Sequence, residues 1–387
     1  MKKNVAVIFG GQSAEHDISI VTAIASVIKP LKLSANYTVI PVYIAKDGSW
    51  YSDKRLEDIT LYSSGAVGNF CNANNRVSLA LGDGLTLIKP GIKSKKIKID
   101  IAFPAMHGTY GEDGSLMGLL RMAGIPFVGC DMPASVVAMD KVLAKQVTTA
   151  NGIDTAKYTA FRKEEFVEDK DKVIQSSKKL KMPVFVKPAH LGSSIGISKV
   201  SKRDDLENAI EVALHYDDKA LIEESIENLI EVTVPISGRG EALQVALIER
   251  PLAQEGDFFD FETKYLSSSG KKGSNKAQGA QGYSELPAQL DGDLYEKVSG
   301  IAKKVYSVAG CEGISRIDLL IDAKTKKIYF NEINPLPGSL YAHNWRQAGV
   351  SSIELVEELL RLANDSFLAR KRLEHTFNTN FLQKSNI

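Results

Sequence analysis

Hydrophobic positions along the chain fall into short runs of two kinds, separated by polar and glycine-rich breaks. Residues 4–11, NVAVIFGG, form an apolar strand closed by a glycine pair. In SAEHDISIVTAIASVIKPL, Ile18, Val21, Ile24 and Val27 then recur at helical spacing. Ser13 is placed to cap this helix, and Glu15 and Asp17 sit in its electropositive first turn. YTVIPVYIA and DIAFPAMHG are further strands; GEDGSLMGLLRMAG follows as loop and helix, then IPFVG. This alternation predicts an N-terminal, mostly parallel, doubly wound α/β domain up to about Gly129.

A second unit has a different rhythm. ASVVAMDKVLAKQVTTANG reads as one helix closed by Gly152, and MPVFVKPAHLGSSIGISKV as strand, Gly/Ser loop and strand. KALIEESI, IEVTVPISG and ALQVALIER are strands, DGDLYEKVSGIAKKVYSVAG is a helix, SRIDLLIDAKTKKIYFNEIN a hairpin, and SIELVEELLRLAND a closing helix. Between them lies KYLSSSGKKGSNKAQGAQGYSELPAQL, too poor in apolar residues to hold itself rigid and expected to be either a lid or dispensable. No internal repeat is visible.

Composition narrows the classes. With 387 residues, 44% hydrophobic and 25% charged, the chain is an ordinary globular protein with room for two or three domains. A net charge of +1 offers no general field for nucleic acid or membrane, and no run of about 18 apolar residues is present to span a bilayer. The opening MKKNVAVIFGG reads as a first strand rather than a signal segment, and the basic cluster in LARKRLEHTFNTNFLQKSNI as a solvated helix end. Cys71, Cys130 and Cys311 are odd in number and lack CxxC spacing, which excludes a disulfide framework or zinc cluster and suits a reducing cytoplasm.

Several stretches carry candidate chemistry. On the hairpin, Arg316 and Asp318 lie two apart, as do Glu332 and Asn334, so one face gathers Asp, Glu and Asn oxygens and a guanidinium. Hard oxygen donors of this kind suit Mg²⁺, and an exposed face with an Arg–Asp pair is the plainer alternative. Lys187 ends a Val-rich strand before a Gly192-Ser193-Ser194-Ile195-Gly196 loop able to present N–H groups and hydroxyls to an anion; it is neither a Walker A loop nor a GxGxxG fingerprint, and a simple hairpin turn is the alternative. Lys141 lies on a helix, where most lysines are merely solvated. Glu223, Glu224 and the backbone to Ile226, with Glu231 beyond, end an apolar strand whose edge suits a base and a ribose. His107 follows a strand of the first domain, where ligands gather in open α/β sheets. Lys264 and Tyr265 stand at the mouth of the lid.

Taken together and in this order, GGQSAEHDIS, HGTYGEDGSLMG, GIPFVG, MDKVLAK, VKPAHLGSSIGISKV, KYLSSSG, SRIDLLID and NEINPLPG resemble the D-alanine–D-alanine ligase family of the ATP-grasp superfamily, from residue 5 to about 364. The resemblance implies an N-terminal α/β domain (1–135), a small (136–222) and a large (223–365) ATP-grasp subdomain and a C-terminal tail (366–387). It implies ligation of two D-alanines through an acyl phosphate, with ATP and two Mg²⁺ ions, or Mn²⁺ in their place. D-alanine and ATP are then the small-molecule partners, and a homodimer is the family's habit. Lys141, Lys187 and Ser194 match groups that hold ATP phosphates, Glu223, Glu224 and Ile226 the adenine hinge, Glu231 the ribose site and Lys264 a lid lysine. Asp318, Glu332 and Asn334 match the metal ligands, and Arg316 with the Gly338 N–H the oxyanion donors, a glycine being expected there for close backbone approach. Glu15, linked to Ser193 and Tyr265, matches the group near the first substrate's ammonium, and His107 a substrate-pocket histidine. After PLPG the family offers Thr and Ser hydroxyls; here Ser339 begins the segment and His343 takes the place of the serine that holds the second carboxylate. The lid is also long. The alternatives are a different acceptor (D-serine, D-lactate or another amino acid), or a nucleotide-binding regulatory protein with an inactive ligase fold.

Overall fold

The run Val5–Phe9 is buried on both faces, as expected of a central parallel strand covered by helices. In the computed structural model, which describes residues 2–91, 94–252, 284–374 and 376, strand Lys3–Gly10 pairs in parallel with Tyr37–Ile44 on one side and Ile101–Pro104 on the other. A short antiparallel edge strand, Trp50–Tyr51, closes the sheet beside Tyr37–Ile44. Gly10 turns the chain at φ +89°, and a Cβ there would lie 2.2 Å from the Ile44 carbonyl, so only glycine fits. Residues 78–99 add a three-stranded antiparallel sheet (Ser78–Leu81, Leu85–Lys89, Lys95–Ile99) that the hydrophobic pattern did not reveal.

The first helix departs from expectation. It begins at His16, and Ser13 lies upstream of it, accepting from the Glu15 N–H at 3.1 Å rather than capping the helix. It then widens into a π-helical stretch over Thr22–Ile28. The helix expected over residues 134–152 is two, Met132–Met139 and Lys141–Ala150, because Asp140 takes an extended conformation and accepts from the Val142 and Leu143 N–H groups.

Two antiparallel four-stranded sheets follow. One runs Ser198–Val200, Val184–Pro188, Lys219–Glu224, Tyr158–Arg162, and the other Ala242–Val245, Leu229–Arg239, Gly313–Asp322, Ile328–Asn334. Each buries one face. Val184, Val186, Ala220 and Ile222 pack beneath the first; Val232, Val234, Ile317, Leu319, Phe330 and Ile333 pack against helix Gly292–Val308 beneath the second. Their polar faces share a cleft, spanned by Lys187 Nζ at 3.5 Å from Asn331 Oδ1.

The closing helix runs from Ser352 to Lys371, past the expected end at Asp365. Leu355, Val356 and Leu359 join Val27, Ile28 and Leu31 in the first domain's core, and Ser34 donates to Glu357 at 2.6 Å. Among the described residues no helix is long and apolar enough to cross a membrane.

Candidate functional site

One cleft receives residues from the parallel-sheet domain and from both four-stranded antiparallel units. Glu15 and His107 follow neighbouring parallel strands, at the carboxyl ends where open α/β sheets bind ligands. Lys141, Gly192, Ser193, Arg316, Glu332, Asn334 and Gly338 line the same cleft. Gly108 turns at φ +67°, and a Cβ there would sit 2.6 Å from Ser13 Oγ and 3.0 Å from Glu15 Oε2, so its absence leaves room for the Glu15 carboxylate. Ser193 donates to that carboxylate.

The hairpin register places the oxygen donors. Arg316 stands opposite Asn334 and Asp318 opposite Glu332, with Thr233 beyond Asp318. By strand alternation Glu231 shares this face. Arg316 grips Asp318 through Nε at 2.7 Å and a second guanidinium nitrogen, and donates to Tyr341 Oη at 3.1 Å. Asn334 Nδ2 lies 3.2 Å from Asp318 Oδ2, and Lys141 Nζ 3.5 Å from Glu332 Oε2. Burial, only partly countered by Arg316, pushes the Asp318 carboxyl up to about 7. Three close acidic or amide oxygen donors with a raised carboxyl are what a hard divalent cation would stabilise, so Asp318, Glu332 and Asn334 fit Mg²⁺.

On the facing sheet Glu223 is almost wholly buried between two ammonium groups, pairing with Lys187 and, at 2.8 Å, with Lys145. Burial alone would raise its carboxyl, but the two lysines hold it at about 2. Burial lowers Lys145, whereas Glu223 outweighs burial at Lys187 and raises it. Glu224 faces away from these groups: its N–H donates to the Lys157 carbonyl and its carboxylate accepts from the Lys181 N–H. The Ser225 N–H goes to the Pro183 carbonyl, so of the expected hinge donors at 224–226 the first two are committed within the protein.

The turn after Asn334 differs from expectation. Gly338 does not adopt a left-handed conformation, and a Cβ there would meet nothing within 4 Å, so no close approach within the protein demands glycine. The left-handed backbone falls instead on Ser339, Leu340 and Tyr341, at φ 52°, 54° and 49°. Non-glycine residues in that region cost roughly 1–3 kcal/mol each, and such strain gathers at functional sites. The turn is held by the Ser339 N–H donating to Thr22 Oγ1 at 3.0 Å, by buried Leu340 and by Arg316 on Tyr341. Thr22 Oγ1 also lies 2.8 Å from His107 Nε2, and burial lowers the His107 pKa below the ordinary histidine value.

His343 is not among the residues lining this part of the cleft; its Nε2 lies 2.9 Å from Glu249 Oε2. Burial pushes the Glu249 carboxyl up, and the His343 hydrogen bond and charge outweigh it, leaving it below the ordinary glutamate value. Lys264 and Tyr265 lie outside the described residues. Sequence reasoning missed Glu112, Lys145, Asn331 and Glu249. Glu112 is buried in the cleft wall, where Oε2 accepts from the Gly108 N–H at 2.7 Å and Oε1 from the Leu336 N–H at 3.4 Å.

Two antiparallel sheets closing on lysines and carboxylates, joined to a parallel-sheet domain, define an ATP-grasp ligase. The family models for the D-ala D-ala ligase N-terminus and C-terminus match residues 4–130 and 147–361. The chain belongs to the D-alanine–D-alanine ligase family. A curated relative, the D-alanine--D-alanine ligase of Chloroherpeton thalassium, is 36% identical over 381 residues, covering 96% of this chain and 98% of its own length. Among solved structures, the VanG D-Ala:D-Ser ligase from Enterococcus faecalis aligns with a TM-score of 0.75 at 28% identity, covering 94% of this chain and 100% of its own. The D-alanine-D-alanine ligase from Coxiella burnetii aligns at 0.78 and 25%, covering 96% of each.

Proposed function

We propose that this chain joins two D-alanines into D-alanyl-D-alanine for peptidoglycan precursors, at the expense of ATP. The observation that carries this reading is the meeting of Glu15, Arg316, Glu332 and Asn334 in one cleft, with Asp318 bonded to Arg316 and Asn334 behind them, within a chain matched by the family over both its parts.

In this reading Glu15, oriented by Ser193, receives the ammonium of the first D-alanine, and His107 shapes the pocket beside it. Lys141, Lys187 and the loop bearing Ser194 hold the ATP phosphates. The segment from Glu223 to Ile226 borders the adenine and Glu231 the ribose, while Glu223 itself fixes Lys145 and Lys187. The first carboxylate attacks the γ-phosphorus, ADP leaves, and an acyl phosphate results. The second amine attacks the acyl carbonyl; inorganic phosphate leaves and the amine's excess proton passes to solvent. Arg316 and the Gly338 N–H donate to the oxyanion that forms in between, a role for preorganised donors. Asp318, Glu332 and Asn334 would hold two Mg²⁺ ions, or Mn²⁺, which supply charge neutralisation at the phosphoryl oxygens. The remaining work is positioning. Lys264 is read as a further phosphate ligand and Tyr265 as a partner of Glu15 and Ser193, both by the family resemblance, and Ser339 borders the second substrate. The domain limits given above, a cytoplasmic location and a homodimer complete the proposal.

A second reading, with another acceptor, is favoured by one observation: His343, which the sequence sets where the family resemblance expects a carboxylate-binding serine, is paired to a buried glutamate. Incubation with ATP, Mg²⁺ and D-alanine, alone and with D-serine, D-lactate or other amino acids, decides between them by phosphate release and product mass. D-alanine alone is expected to give the dipeptide. Product formed only with a second acceptor moves the assignment to that acceptor, and ATP binding without turnover of any amino acid supports the regulatory reading.

A further inference from the structure

Outside the cleft, a charged cluster tethers the loop that follows Lys187. The His190 N–H donates to Asp217 Oδ2 at 2.7 Å; its Nδ1 lies 2.9 Å from Asp217 Oδ1 and its Nε2 3.4 Å from Asp140 Oδ2. Lys219 Nζ donates to the same Asp140 oxygen at 2.6 Å, and the Asp218 carboxylate lies beside His190 and Asp217. Asp140 is the residue that separates the two helices and caps Lys141–Ala150. Lys141 in turn reaches the loop twice: its N–H donates to the Ala189 carbonyl at 3.0 Å and its ammonium to the Leu191 carbonyl at 2.6 Å. One imidazole therefore joins the start of the helix bearing Lys141, the loop bearing Ser193 and Ser194, and strand Lys219–Glu224.

Both partners of the ring are carboxylates, which only accept, so bridging them needs an N–H on each nitrogen. That is the imidazolium. The hydrogen bonds to Asp140 and Asp217 outweigh the partial burial of the ring and raise its pKa to about 9, while Lys219 shares the Asp140 carboxylate. Because the pKa is raised, the bridge is intact at neutral pH and is lost as pH rises through about 9.

We infer that His190 is a positioning residue for the nucleotide's phosphates, its imidazolium clamping Asp140 and the Gly/Ser loop so that Lys141 and the loop's N–H groups address one ligand. The inference rests on the reading of Lys141 and this loop as phosphate binders. It places the effect on nucleotide affinity rather than on the chemical step.

The test measures binding of Mg²⁺–ADP and of a non-hydrolysable ATP analogue by calorimetry, together with steady-state rates, for the wild type, His190→Ala and His190→Arg. Thermal melting checks that each variant is folded. His190→Ala is expected to weaken nucleotide binding roughly tenfold, as loss of bonds to charged groups does, with kcat at saturating ATP little changed. His190→Arg, which keeps donors and charge at every pH, is expected to retain affinity at about pH 10, where the wild type weakens. Unaltered binding in His190→Ala, or an Arg variant that weakens with pH in parallel with the wild type, overturns the inference. A wild type that binds no nucleotide at all overturns instead the reading on which it rests.

Discussion

Ser193 donates its hydroxyl hydrogen to the Glu15 carboxylate, joining two residues 178 positions apart in the chain. Glu15 comes from the parallel-sheet domain and Ser193 from the loop of the first antiparallel sheet. The bond thus ties the parallel-sheet domain to the first antiparallel sheet across the cleft.

Ser193→Ala removes a hydrogen bond to a charged group, worth about 1.5–3 kcal/mol. The expected outcome is a rise of roughly tenfold or more in KM for the first D-alanine, with a much smaller change for ATP. Initial rates with each substrate varied in turn check this. Equal effects on both would assign Ser193 to the nucleotide.

Arg316 is held by Asp318 and contacts Tyr341 of the strained turn. An oxyanion exists only after activation, so Arg316→Ala is expected to lower kcat about 10²–10³-fold while ATP binding changes far less. Rates and calorimetric ATP affinity measured on one preparation separate the two; parallel losses would contradict an oxyanion role.

His343→Ser takes the imidazole from the buried Glu249 carboxylate. The apparent KM for the second amino acid, or its pH dependence, is expected to shift, and the first-site KM to stay put. Kinetics identical to the wild type for both substrates would sink this assignment.

Burial pushes the Glu112 carboxyl up to about 8, and the neighbouring Glu15 carboxylate adds to the effect. A carboxyl whose folded pKa is raised takes up its proton on folding. Its contribution is therefore fullest below the ordinary value of 4.5 and is lost as pH rises toward about 8. Glu112→Gln, neutral and of the same shape, is expected to lose less stability than the wild type between pH 5 and 8. Urea unfolding across that range measures it, and identical slopes would place the proton elsewhere.

The parts of the site that could be read from the chain were those written in local rhythm. Alternation alone put Arg316 with Asp318 and Glu332 with Asn334 on one face, and the structure pairs them across the hairpin. Lys145 was hidden because a lysine in a polar helix ordinarily points to water; only a glutamate 78 residues later makes its burial tolerable. That Lys141 and Lys145 lie four apart, on one helix face, was the available signal. Asp140 lacked the glycine or proline that usually marks a break, although an aspartate before Lys-Val-Leu is an N-cap pattern. Glu112 and Glu249 depend on contacts with residues far along the chain, which no local pattern encodes.

The ladder between the hairpin strands shifts register after Asp318: Glu332 opposes Asp318, yet Phe330 opposes Leu319. Asn331 is therefore supernumerary, and the step from Phe330 to Ile333 in the buried series is its trace in the sequence. On either side of it every residue keeps its partner and its face. Such a position is a seam at which the chain can gain or shed one residue without turning the hairpin inside out. Here that freedom has supplied an amide that reaches across to Lys187 from the opposite wall of the cleft.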